Sequence, residues 1–125
     1  MWSDQDGGGR HLMHEMSLAE SVREIIEDAS RQQHFQRVKT VWLEVGKLSC
    51  VEQDAMRFCF ESVMKDTIAD GATLEIVETE GKGRCPRCGN EMQITTLYEA
   101  CDKCGSYGLQ VIAGDAMRVK ELEVG

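Results

Sequence analysis

Arg84-Cys85-Pro86-Arg87-Cys88-Gly89, followed after a short polar and apolar run by Cys101-Asp102-Lys103-Cys104-Gly105, is the stretch around which the chain is organised. Two residues between cysteines allow both thiols of a tight turn to face one centre. The glycine after each pair takes the positive-φ conformation that such a turn requires without steric cost. Two facing knuckles supply four sulfurs, the tetrahedral set that a structural zinc prefers over a pair of disulfides. The spacer from Gly89 to Ala100 is slightly shorter than the usual range, yet leaves room for a short hairpin. With Cys85, Cys88, Cys101 and Cys104 all engaged, no position stays open for water, so a metal here holds structure and does no chemistry.

The flanks read as an α+β domain into which this module is inserted. On the N-terminal side, Ser17 with Glu20 reads as a capping box. Leu18, Val22, Ile25, Ile26 and Ala29 then recur at helical spacing. Val38 to Val45 alternates as a strand and stops at Gly46. Ser49 with Glu52 repeats the capping signature, ahead of a helix to about Asp66 that carries Val51, Ala55, Phe58, Cys59 and Val63 on one face. Ala72 to Val77 reads as a second strand, and Gly81-Lys82-Gly83 as a flexible joint into the cysteine module. Beyond the module, Leu109 to Ala113 and Met117 to Val124 read as strands that return to complete the same sheet. The expected architecture is two helices packed on a small mixed or antiparallel sheet, with an inserted four-cysteine zinc-ribbon module. Residues 13–83 with 106–125 form the α+β domain, and 84–105 the zinc module. Residues 1–12, with three consecutive glycines, read as a flexible leader or tag.

Composition narrows the function. The 125 residues are 42% hydrophobic and 29% charged, which suits one soluble globular domain with a small module. No apolar run is long enough to span a membrane, and Met1 to Leu12 has no apolar core of a secretory signal. Paired-thiol knuckles without an export signal suit a reducing cytoplasm. A net charge of −8 argues against nucleic-acid binding, and Arg84, Arg87 and Lys103 are balanced by Glu91, Glu99 and Asp102 within the module. No catalytic dyad, triad or phosphate-cradling loop is visible, so the chain does not read as an enzyme. Outside the knuckles, Cys59 reads as core, Cys50 as an inert thiol at a helix start, and His34 as a helix-end residue.

Three segments together resemble the HypA/HybF family: Met13-His14-Glu15-Met16-Ser17-Leu18, Glu44-Val45-Gly46-Lys47-Leu48-Ser49, and the two cysteine knuckles. The resemblance covers Met13 to Gly125. It implies a nickel metallochaperone for [NiFe] hydrogenase maturation, and in some organisms for urease. Zinc would sit on Cys85, Cys88, Cys101 and Cys104. Nickel would bind near Met13, His14 and Glu15, through the His14 imidazole, the terminal amine and neighbouring amide nitrogens. Such a nitrogen set gives the square-planar geometry that Ni(II) favours and zinc does not. Implied partners are the maturation GTPase of the hydrogenase system and the hydrogenase large subunit, with no nucleic acid and no membrane. The departure from the family pattern is that twelve residues precede Met13, which makes its nitrogen an amide. Initiation or trimming at Met13 would restore the amine, while His11 adds a second imidazole to the longer form. The alternative reading is a zinc-ribbon adaptor between proteins, without its own nickel site.

Overall fold

In a computed structural model, backbone is described for residues 7–125 and side chains from His14 onward. The elements run α1 (Gly7–Gln33), β1 (Val38–Gly46), α2 (Gln53–Met64), β2 (Thr73–Thr79), β3 (Gly81–Arg84), β4 (Glu91–Ile94), β5 (Gln110–Ala113) and β6 (Met117–Val124). They build two helices and two three-stranded sheets, ordered β2-β1-β6 and β4-β3-β5. The α+β expectation holds.

The chain divides into two compact units, Met1–Leu43 with Val51–Ile76 and Val119–Gly125, and Glu44–Cys50 with Val77–Arg118. In the first, the two helices and β1 share a core, but α2 turns inward a different face from the expected one. Of Val51, Ala55, Phe58, Cys59 and Val63 only Cys59 is buried, and Phe58 is exposed. Ala19, Val22 and Ile26 from α1 are buried, as are Met56, Cys59, Phe60 and Met64 from α2, and Val38, Val41 and Leu43 from β1. Cys59 is thus core, and burial pushes its thiol up. His34 closes α1 in the left-handed region at φ 60°, its amide donating to the Ser30 carbonyl at 2.8 Å.

Both expected helix starts move. Ser17 lies inside α1, which begins at Gly7, because nothing between Arg10 and Ser17 breaks a helix and a serine is tolerated in its interior. The Ser17 carbonyl instead accepts from the Ser21 hydroxyl. At the second start Glu52 is itself the N-cap, its carboxylate accepting from the Ala55 amide at 2.7 Å. Ser49 turns the other way and donates its hydroxyl to the Gly46 carbonyl. A cap needs only a side-chain acceptor within reach of the first free amides, and Glu52 takes the place that the capping box assigned to Ser49.

In the second unit the glycine joint proves to be a strand. Gly81-Lys82-Gly83 is the core of β3, paired antiparallel to β4 on one side and to β5 on the other. Its backbone groups are spent on two ladders, and the absent side chains let Leu48 and Ile94 approach closely. Around it, the Gly46-Lys47-Leu48 segment forms a clasp. Gly46 N–H donates to Ala116, Lys47 N–H to Thr79 and Leu48 N–H to Gly114, at 2.8–3.0 Å. Lys47 Nζ meets Glu80 Oε2 at 2.9 Å, and Arg118 Nε meets Glu44 Oε1 at 2.7 Å. Of the two C-terminal strands, only β6 joins the sheet of β1. The other, β5, joins β3 beside the cysteines.

Candidate metal centre

Each knuckle is built by the same local bonds. In the first, the Cys85 amide donates to the Asn90 carbonyl and the Gly89 amide to the Cys85 carbonyl, both at 2.8 Å. In the second, the Cys101 amide donates to Ser106 at 2.8 Å and the Gly105 amide to Cys101 at 2.9 Å. Gly89 and Gly105 take φ of 77° and 76°, as the sequence required. The first knuckle caps the β3–β4 hairpin, whose last pair is Arg84 opposite Glu91, joined by an ion pair at 2.6 Å. Pairing of β5 with the other edge of β3 returns the chain from the second knuckle.

Packing brings the four sulfurs together. The ligand atoms of Cys85, Cys88, Cys101 and Cys104 all lie within 4.8 Å of one another, with Cys85–Cys104 at 3.5 Å and Cys88–Cys101 at 3.6 Å. Bonds of about 2.3 Å to one central ion give tetrahedral sulfur separations of roughly 3.8 Å, so the donor set fits a single metal. Cys85 and Cys101, first in each knuckle, are buried, whereas Cys88 and Cys104 are exposed.

The thiols do not ionise alike. Backbone N–H groups of Cys104 and Lys103 point at the Cys101 sulfur and hold it down at about 6. The Ser106 hydroxyl and amide lower Cys104. At Cys88 the Asn90 amide pulls downward, but burial and the neighbouring thiols prevail and push it up to about 11. A divalent cation at the centre would hold all four as thiolates, and its binding would release protons. Asn90, a residue that the cysteine spacing does not single out, ties the knuckles together: its Nδ2 donates to Asp102 Oδ1 at 2.8 Å and faces Cys101 Sγ at 3.6 Å. Its signal was positional, since Asn90 and Ser106 each follow a knuckle glycine.

The residues expected around nickel are not all alike. Met13 lies on α1, but its side chain, like that of His11, falls outside the described residues. His14 is half exposed, with Nδ1 3.8 Å from Glu15 Oε2. Glu15 is fully buried, and its Oε2 accepts from the Glu52 amide at 2.8 Å. That bond fastens α1 to the first turn of α2, and Oε1 has no hydrogen-bond partner among the described residues. Glu15→Ala is therefore expected to cost about 1 kcal/mol by removing the acceptor of the part-buried Glu52 amide. Hydrogen exchange at the Glu52 amide should accelerate with it, whereas Glu15→Gln, which keeps an acceptor, should retain most of the protection. Equal protection in Glu15→Ala would show that the carboxylate does not hold α2. Cys50 is exposed at φ 62°, its sulfur 3.9 Å from the Leu48 carbonyl. Among the described residues, no helix is long and apolar enough to cross a membrane.

The profile of the family described as "Hydrogenase/urease nickel incorporation, metallochaperone, hypA" matches residues 13–124. The chain belongs to the HypA family. Similar relatives include the hydrogenase maturation factor HypA of Azotobacter chroococcum mcd 1, 52% identical, and that of Rhodopseudomonas palustris strain BisA53, 55% identical. Each alignment takes in 112 residues, 90% of this chain and 99% of the relative. The fold is similar to the solution structure of the Ni metallochaperone HypA from Helicobacter pylori. There the TM-score is 0.70 at 23% identity, over 88% of this chain and 96% of that one. HypA proteins are metallochaperones rather than enzymes, and the four-cysteine cluster accords with the family's fold.

Proposed function

We propose that this chain is a cytoplasmic carrier that binds Ni(II) near Met13, His14 and Glu15 and delivers it during [NiFe] hydrogenase maturation, or to urease. The reading assigns nickel to the α+β domain and a structural zinc to Cys85, Cys88, Cys101 and Cys104. Its partners would be the maturation GTPase of the hydrogenase system and the hydrogenase large subunit. The observation that carries the reading is the family match over residues 13–124, within which His14 is half exposed and open to a metal. Imidazole with backbone nitrogens suits Ni(II), and four thiolates suit zinc.

Helix α1 itself bears on affinity. Because it starts at Gly7, the amides of Met13, His14 and Glu15 fall past its first four residues and are committed to carbonyls one turn earlier. Ligation through those nitrogens requires that the first turns of α1 unwind. Calorimetric titration of nickel into the zinc-loaded protein, beside its His14→Ala variant, tests the assignment. One nickel per chain is expected, with binding lost in His14→Ala. A chain beginning at Met13 should bind more tightly, because its amine is free and no preceding turn must open. Nickel retention by His14→Ala at unchanged affinity would overturn the site and favour the zinc-ribbon adaptor.

A further inference from the structure

A cavity of about 280 Å³ opens in the first unit, and none of the residues assigned to metal lines it. Its apolar lining is Phe60 and Met64 from α2 with Ala69, Ala72 and Leu74 from the segment that follows. Sites for small molecules usually run from about 300 to 1,000 Å³, so this one suits a single large side chain better than a whole cofactor.

The rim is cationic in a chain of net charge −8. Arg57 lines the mouth, and its Nη1 donates to the Leu74 carbonyl at 2.7 Å, which holds the guanidinium plane in place. Arg37 stands beside it: a Cβ at Gly71, another lining residue, would meet Arg37 Nη2 at 3.7 Å. Among the described residues neither arginine forms an ion pair. Glu61 is the one carboxylate lining the cavity. Next to Arg57 on the outer side of α2, Phe58 is 58% exposed, and it shares a helical face with Glu61 three residues on. An exposed aromatic and a fixed guanidinium beside a pocket that Phe60, Met64 and Leu74 line are the ingredients of a protein-binding hot spot.

We infer that this pocket docks a protein partner through one apolar side chain flanked by carboxylates, the chain seating in the cavity and the carboxylates meeting Arg57 and Arg37. Charge complementarity chooses that occupant. A basic segment would be drawn to the chain as a whole, whereas an acidic one is met at this rim by two arginines without ion pairs among the described residues. The inference is independent of the nickel assignment.

The test uses the zinc-loaded full chain and NMR shifts of the Met64 and Leu74 methyl groups. The probe is the blocked peptide acetyl-Glu-Glu-Leu-Phe-Glu-Glu-amide, with its counterpart carrying Lys for Glu as control. Saturable shifts with the acidic peptide and none with the lysine peptide are expected, against the direction that net charge alone would set. Arg57→Gln should weaken binding about tenfold while the amide spectrum stays dispersed. Glu61→Gln should tighten it, and His14→Ala should leave it unchanged. Preference for the lysine peptide, or an unaltered response in Arg57→Gln, would overturn the inference. So would methyl shifts that follow protein concentration without peptide, because the occupant would then be a second copy of the chain.

Discussion

Cys85→Ser is expected to abolish tight metal binding and, with it, the ordered pairing of β3 with β4 and β5. Cys85 is 1% exposed, its sulfur is 3.5 Å from that of Cys104, and its amide and carbonyl both anchor the first knuckle. Structural zinc sites contribute apparent binding free energies of about 10 to 16 kcal/mol at neutral pH. The second unit has little else to hold it, since its buried hydrophobic residues are Val45, Leu48, Cys85, Ile94 and Cys101. Metal analysis after dialysis should find one zinc per chain in the parent protein and none in the variant. Amide dispersion for residues 81–113 should collapse in parallel. Full zinc retention by Cys85→Ser would mean that the cluster is not the site.

The second large effect is expected at Gly46, where no metal is involved. A Cβ there would overlap the carbonyl oxygen of Gly114, and both partners are backbone. A flexible side chain can swing aside, but these two segments are tied by hydrogen bonds from the Gly46 amide to the Ala116 carbonyl and from the Leu48 amide to the Gly114 carbonyl. Gly46→Ala should therefore destabilise the protein by at least about 3 kcal/mol, the upper end of overpacking costs. Gly89→Ala is the useful contrast. Nothing lies within 4 Å of a Cβ at that position, and only its φ of 77° opposes substitution, at a cost of about 1 to 2 kcal/mol. Urea titration of both variants with metal bound tests the ranking. A Gly46→Ala protein no less stable than Gly89→Ala would show that the clasp around β3 yields.

Local chemistry that repeats at short spacing was readable from the residues alone. Two Cys-x-x-Cys-Gly turns need only their own residues to form, so the cluster and its glycine conformations were legible before any fold. The apolar periods of α1 and β1 were equally legible, because core positions such as Val22, Ile26, Val41 and Leu43 follow from which face is buried. On α2 the expected face kept only Cys59, since Met56, Phe60 and Met64 turn inward and Phe58 turns out. Whatever depends on a partner distant in the chain was set by long-range packing. Gly81-Lys82-Gly83 looks like a hinge until β4 and β5 bind both of its edges. Glu15, which reads as a carboxylate ahead of a helix, is buried because the Glu52 amide of α2 reaches it. Ser49, the cap that the motif with Glu52 implied, is spent on the turn back to Gly46, and Glu52 caps α2 instead. The cavity beside Arg57 joins α2 to residues 69–74, a meeting that no periodicity along one segment announces. Spacing encodes the turn and the face, while the energy that selects a strand's second neighbour or a buried acceptor's donor exists only once separate segments exclude water together.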